Sequence, residues 1–223
     1  MEKRTALLFG STGLVGSNLL KLLIKEEAYD RIIIFNRRPV GVVSTKTEEI
    51  ITDFSDMQEI ASNISGDDLF CCLGTTIKKA KTQEKFRQVD YELPVTLAEI
   101  ASRKQLKHCV VISSIGANAG SKNFYLRTKG EMEQVLLKTL GQKVIIVRPS
   151  MILGDRTEFR FGEEIAKLLM SILKPLFIGR LSRYKGIQAA DIARAMLQLA
   201  LDGSEKQIVE SDQLQMLSKR YNA

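Results

Sequence analysis

Tyr125 and Lys129 stand four residues apart in a stretch of helical periodicity, so both side chains lie on one face and can reach one point. A phenol is normally too weak an acid to exchange its proton near neutral pH. A neighbouring ammonium favours the phenolate and brings that exchange within reach. Ser113 and Ser114 close an apolar run shortly before, and a serine hydroxyl placed there can orient a carbonyl or an alcohol. Together these side chains make an acid/base set for moving a proton to or from an oxygen. The spacing YxxxK is common by chance, and the plain alternative is an exposed helix face. What decides is the frame around it.

Other chemistry is poorly supplied. The single histidine, His108, sits just before a strand and reads as a solvated residue rather than a base. Cys71, Cys72 and Cys109 are odd in number and show no framework spacing, which argues against structural disulfides. Adjacent Cys71 and Cys72 point to opposite faces of a strand, so no metal site is expected.

The frame begins at Gly10, Ser11, Thr12, Gly13, Leu14, Val15 and Gly16, which read GSTGLVG between a strand and a helix. Glycine permits the sharp turn and lets backbone approach a pyrophosphate closely. The helix start then offers free N–H groups and a positive dipole end to phosphates. In that context the turn predicts a dinucleotide site, with GxxGxxG spacing in place of GxGxxG. The second strand ends at Asn36, followed by Arg37 and Arg38. An NAD site commonly has a carboxylate here, whereas a guanidinium grips a 2′-phosphate and no carboxylate is expected nearby to repel it. NADP(H) is therefore favoured over NAD(H). Asp53, after the third strand, either meets the adenine amino group or caps the next helix. Leu73 and Gly74 end the fourth strand, where backbone passes close to the cofactor.

Strand and helix alternate along most of the chain. Strands are expected at Thr5 to Phe9, Arg31 to Phe35, Glu49 to Thr52, Asp68 to Leu73, Cys109 to Ser113 and Lys143 to Val147. Helices are expected at about Gly13 to Glu27, Ser55 to Asn63, Thr82 to Lys104 and Tyr125 to Leu140. Pro94 should kink the third of these helices or start its main segment. The strands are continuous apolar runs, as a parallel sheet covered on both faces requires. The fold class is α/β, a doubly wound parallel sheet of Rossmann type with a small C-terminal substrate-side extension. One NAD(P)-binding domain over 1–223 is expected, with 151–186 a small insertion on the substrate side. Helices are expected there over about Gly162 to Leu173 and, beyond it, over Ala190 to Leu201, with a PLFIG segment between them and a short helix or tail from Ser211.

Composition sets the outer limits. The chain has 223 residues, 44% apolar and 26% charged, an ordinary globular balance that suits one large domain. No apolar run approaches the ~20 residues that span a bilayer. Glu2, Lys3 and Arg4 and a short apolar run do not make a secretory signal, and a cytoplasmic location is expected. The net charge of +7 is dispersed. Lys78, Lys79 and Lys81 form its one tight cluster, either a solvated loop or an anion-attracting rim, and without interleaved aromatic residues it does not suggest nucleic acid. The expected partner is a small-molecule substrate, with no membrane and a monomeric or homodimeric state.

With GSTGLVG, NRR after strand two, YLRTK and RPSMILG in order, the chain resembles the short-chain dehydrogenase/reductase superfamily from about Thr5 to Leu201. The glycine spacing belongs to its extended and atypical branches. CCLGTT at Cys71–Thr76 and RPSMILGDR at Arg148–Arg156 are similar to the Tat-interacting-protein oxidoreductases and their bacterial relatives. That resemblance implies NADPH held by Thr12, Gly13, Leu14, Val15, Arg37, Arg38, Leu73, Gly74, Tyr125, Lys129 and Ile152, with Arg160 joining from the loop after strand six. It implies an NADP-dependent oxidoreductase in which Tyr125 is the acid/base, Lys129 tunes it and binds ribose, and Ser114 orients the substrate. Ser114 suits the family position better than Ser113, which stays open. An NADP(H)-sensing protein with little catalysis and a nucleotide-sugar epimerase are the alternatives.

Overall fold

Apolar residues on β1 alternate between two cores, and that alternation builds the whole molecule. The structure, a computed structural model, describes residues 3–42, 44–154 and 184–221. Its elements are β1 (Arg4–Phe9), α1 (Leu14–Lys25), β2 (Tyr29–Asn36), β3 (Thr47–Ile51), α2 (Met57–Asn63) and β4 (Asp68–Cys71). Then come α3 (Ile77–Ala80), α4 (Gln83–Arg87), a π turn (Gln88–Glu92), α5 (Leu93–Arg103), β5 (His108–Ile112), α6 (Phe124–Leu140) and β6 (Val144–Arg148). The rest comprises β7 (Ile152–Leu153), β8 (Ile187–Gln188), α7 (Ala189–Asp202), β9 (Ile208–Glu210) and α8 (Ser211–Ser218). Ala6 and Leu8 join the core beneath α1 and α7, while Leu7 and Phe9 join the one beneath α2, α5 and α6. A period of two on a strand buried on both faces gives this result.

Seven parallel strands lie in the order β3-β2-β1-β4-β5-β6-β9. The chain reverses its direction of progress between β1 and β4, so a crevice opens at their carboxyl ends, where doubly wound sheets take their ligands. The six expected strands are all present, with ends shifted by one or two residues. The seventh, β9, was not foreseen. β7 and β8 pair separately. The continuous helix expected over Thr82 to Lys104 is corrected to α4, the π turn and α5, and Pro94 starts α5. The helix expected over Gly162 to Leu173, the PLFIG segment and Arg160 lie outside the described residues.

The opposite end of the sheet holds a closed polar cluster. Asp68, fully buried, accepts from Tyr29 Oη at 2.7 Å and lies 3.3 Å from Arg4 Nε and 2.8 Å from His108 Nδ1. These four residues sit at the amino ends of β4, β2, β1 and β5. His108, expected to be a solvated residue, is instead a partner of this buried carboxylate, far from the crevice.

The loop from β5 to α6 crosses directly over Gly130. A Cβ there would overlap the backbone of Asn118 and Ala119. Gly130→Ala is therefore expected to cost about 1–3 kcal/mol, because backbone cannot retreat as a side chain can. Thermal unfolding should fall by several degrees. An unchanged midpoint would show that the loop does not rest on the helix.

Candidate functional site

The glycine turn is built so that nothing stands between its backbone and a ligand. Gly10 has φ +84°, and a Cβ on it would lie 2.7 Å from the carbonyl carbon and oxygen of Cys72. Only glycine lets the end of β1 pass this close to the end of β4. Gly13 N donates to Gly10 O at 2.9 Å and closes the turn. A Cβ on Gly16 would overlap Gly10 O, so that residue seats α1 against the turn. Gly13 is the N-cap of α1, offers no side-chain acceptor, and no acidic residue follows in the first turn. The first N–H groups of the helix are left for an anion.

One cleft of roughly 630 Å³ runs along the carboxyl ends of the strands. Its described walls include Gly10, Thr12, Gly13, Leu14, Val15, Arg37, Asp53, Leu73, Gly74, Ser113, Ser114, Tyr125, Lys129 and Ile152. Of the expected cofactor-binding residues that the structure describes, three are not among them. Ser11 is fully buried and donates to Asn36 Oδ1 at 2.7 Å, fixing the turn to the end of β2. Gly16 is the packing residue just described. Arg38 is exposed beside Arg37, outside the cleft wall. Glu49 on β3 accepts from Asn36 Nδ2 at 3.3 Å and from Val40 N at 2.9 Å, so its charge is engaged by two donors that shape the Arg37 loop.

Asp53 lines the cleft and accepts from Ser55 N at 2.8 Å. Hydrogen bonds from the side chain and backbone of Ser55 hold its carboxyl below the usual aspartate value. The helix-capping alternative for Asp53 is corrected: Asp56 caps α2, accepting from Gln58 N and Glu59 N.

At the other end of the cleft, Asn123 caps α6 and accepts from Leu126 N, which sets the register that brings Tyr125 and Lys129 to one face. The Tyr125 ring packs on Phe86, centroids 5.6 Å apart. Both serines are buried. Ser114 Oγ donates to Ile115 O at a long 3.4 Å, and Ser113 Oγ has no hydrogen-bond partner among the described residues. Lys129 is only 3% exposed. Its Nζ lies 2.8 Å from Asp90 Oδ1, and Asp90 Oδ2 accepts from Thr75 N at 2.8 Å. Burial pulls the Lys129 pKa down, but Asp90 and then Tyr125 more than offset it and hold the ammonium above the ordinary lysine value. Burial pushes the Cys71 thiol up to about 11, so this neighbour of Lys129 stays protonated and unreactive near neutral pH.

Sequence reasoning missed Asp90. One signal was available. Phe86, Asp90, Pro94 and Leu97 share the buried stripe of the helical segment, so a carboxylate stands where an apolar residue is due. Lys79, for which an anion-attracting rim was one of two readings, reaches the cleft wall, as does Lys85, which the sequence did not single out.

Comparison with known proteins bears on the family and the fold. The HIM1 family model matches residues 32–180, about two thirds of the chain. "Protein FMP52, mitochondrial" of Candida albicans is 32% identical over 228 residues, covering 96% of this chain and 98% of that protein. Protein HTATIP2 of Rattus norvegicus is 30% identical over 201 residues, covering 88% and 81%. Among solved structures, the Helicobacter pylori ADP-L-glycero-D-manno-heptose-6-epimerase aligns with a TM-score of 0.68 over 99% of this chain and 83% of that one, at 17% identity, a likeness of fold. The expected cytoplasmic location is overturned by the FMP52 relatives, which are named as mitochondrial proteins. By family model and relatives alike, the chain belongs to the HIM1 family.

Proposed function

We propose that this protein is an NADP-dependent oxidoreductase acting on a carbonyl or alcohol of a small molecule. The observation that carries the reading is a single cleft that joins the uncapped glycine turn and Arg37 to Ser113, Ser114, Tyr125 and Lys129. The cradle fits a dinucleotide: backbone is bare at Gly10 and Gly13, and the start of α1 has no capping side chain. Leu14 and Val15 would offer helix N–H groups to the phosphates, Arg37 would hold the 2′-phosphate, and Lys129 would hold a ribose hydroxyl. NADPH, when bound, supplies the hydride that this chain's own side chains lack. Tyr125 gives the proton to the substrate oxygen, or takes it in the reverse direction. Ser114 holds that oxygen, with Ser113 Oγ the second hydroxyl in reach. Leu73 and Gly74 line the cleft just beyond β4, where backbone would pass close to the cofactor.

Arg37 rather than a carboxylate at the end of β2 supports NADP over NAD, and supports free cofactor exchange over the retained NAD of an epimerase. Fluorescence titration with NADPH and NADH tests the reading directly. Wild type should bind NADPH the more tightly, and Arg37→Ala should weaken it about 10- to 100-fold through loss of a charge-assisted pair. NADH should bind weakly to both proteins. Equal affinity for the two cofactors would remove the NADP assignment. No binding of either would remove the function.

A further inference from the structure

The Lys129 ammonium does not face Tyr125 as a lone cation. Asp90 Oδ1 lies 2.8 Å from Nζ, the two side chains are 1% and 3% exposed, and the second carboxylate oxygen is fixed by Thr75 N. The π turn places Asp90 there, one residue out of step with a regular helix. Insertions of this kind recur where a helix must aim a functional group.

We propose that Asp90 is a positioning residue that cancels the charge of Lys129 and keeps Tyr125 as a protonated phenol, a proton donor, at neutral pH. The inference rests on the reading of Tyr125 as the acid/base group. A bare ammonium within a few ångströms would favour phenolate and prepare the site to accept a proton from an alcohol. An ion pair presents a dipole instead, and its net effect on the phenol is far smaller. The site is thereby biased toward reducing carbonyls. The titratable and charged groups on the surrounding elements are Cys71 on β4, Lys79 on α3, Lys85 on α4, and Arg37 and Asp53 across the cleft. Cys71 stays neutral, and Asp90 forms the ion pair with Lys129 Nζ.

The test is an ultraviolet titration of tyrosinate in the apoprotein. The spectrum of Tyr125→Phe is subtracted so that only Tyr125 is read. In wild type the midpoint should stand at the ordinary tyrosine value of about 10 or above, and a lower midpoint overturns the proposal. Asp90→Asn keeps the shape and removes the charge, so the midpoint should fall by about one pH unit or more. A smaller fall, no change or a rise overturns the proposal. Should Asp90→Asn fail to fold by circular dichroism, the wild-type midpoint decides alone. NADPH titration of wild type runs beside it: failure there sinks the cofactor reading, while a displaced phenol midpoint sinks only the role of Asp90.

Discussion

Tyr125→Phe is expected to bind NADPH as wild type does and to reduce carbonyl substrates about 10³-fold more slowly. The magnitude follows from removing one positioned proton donor, typically worth 10²–10⁴ in rate. Binding should survive because the ring itself is structural. It is 8% exposed and packs with Phe86, Leu126 and Ala80, all of which phenylalanine satisfies equally. The check is loss of NADPH absorbance against a panel of small aldehydes and ketones, with affinity measured in parallel. A variant that keeps the full rate on a substrate of wild type removes Tyr125 from the chemistry. Tight NADPH binding by wild type with no oxidation across the panel would favour the sensing role instead.

The second large effect lies at the other end of the sheet. Asp68→Ala is expected to destabilise the fold by about 3–5 kcal/mol, the usual result of removing one partner from a buried ionic cluster. Tyr29 Oη would lose its acceptor, and Arg4 and His108 would lose the charge between them. For a domain of this size that lowers the melting temperature by about 6–20 °C. Arg31→Ala is the control. The pair Arg31–Glu48 is half exposed on both sides and should contribute less than about 1 kcal/mol. Equal melting temperatures for the two variants would mean that the cluster is not a closed unit. NADPH affinity of Asp68→Ala at low temperature should stay near wild type, since the crevice is at the carboxyl ends.

Sequence legibility followed the size of the apolar signal. IIIF and TALLF are central strands with no rival reading, and the glycine turn between strand and helix left little choice. β9 is three residues long, and its Ile208-Val209 pair carries no pattern of its own. It becomes a strand only because β6 would otherwise lie at an open edge. Likewise the split of Thr82–Lys104 is invisible to a period of 3.6, because a π turn adds one residue while the stripe continues. Asp90 was lost within it, as a lone aspartate in a helical pattern reads as solvent-facing. His108 was misjudged for a related reason: its partner Asp68 is forty residues away, at a strand start that pairing alone brings beside it. Glu49 escaped notice in the same way, being one strand over from the arginine loop it props.

The all-parallel strand order has a kinetic consequence. Every neighbouring pair in the main sheet is joined by a crossover, so no hairpin can form early, and β1 waits for residues as far on as Cys71 to cover its second edge. Such non-local pairing makes folding slow and keeps sticky edges open during synthesis. The far edge of β6 stays unpaired until Ile208–Glu210 has left the ribosome. A nascent chain stalled before that point carries Val144–Arg148 as a bare strand edge. Pairing by Ile208–Glu210 therefore acts as the seal against aggregation through the β6 edge.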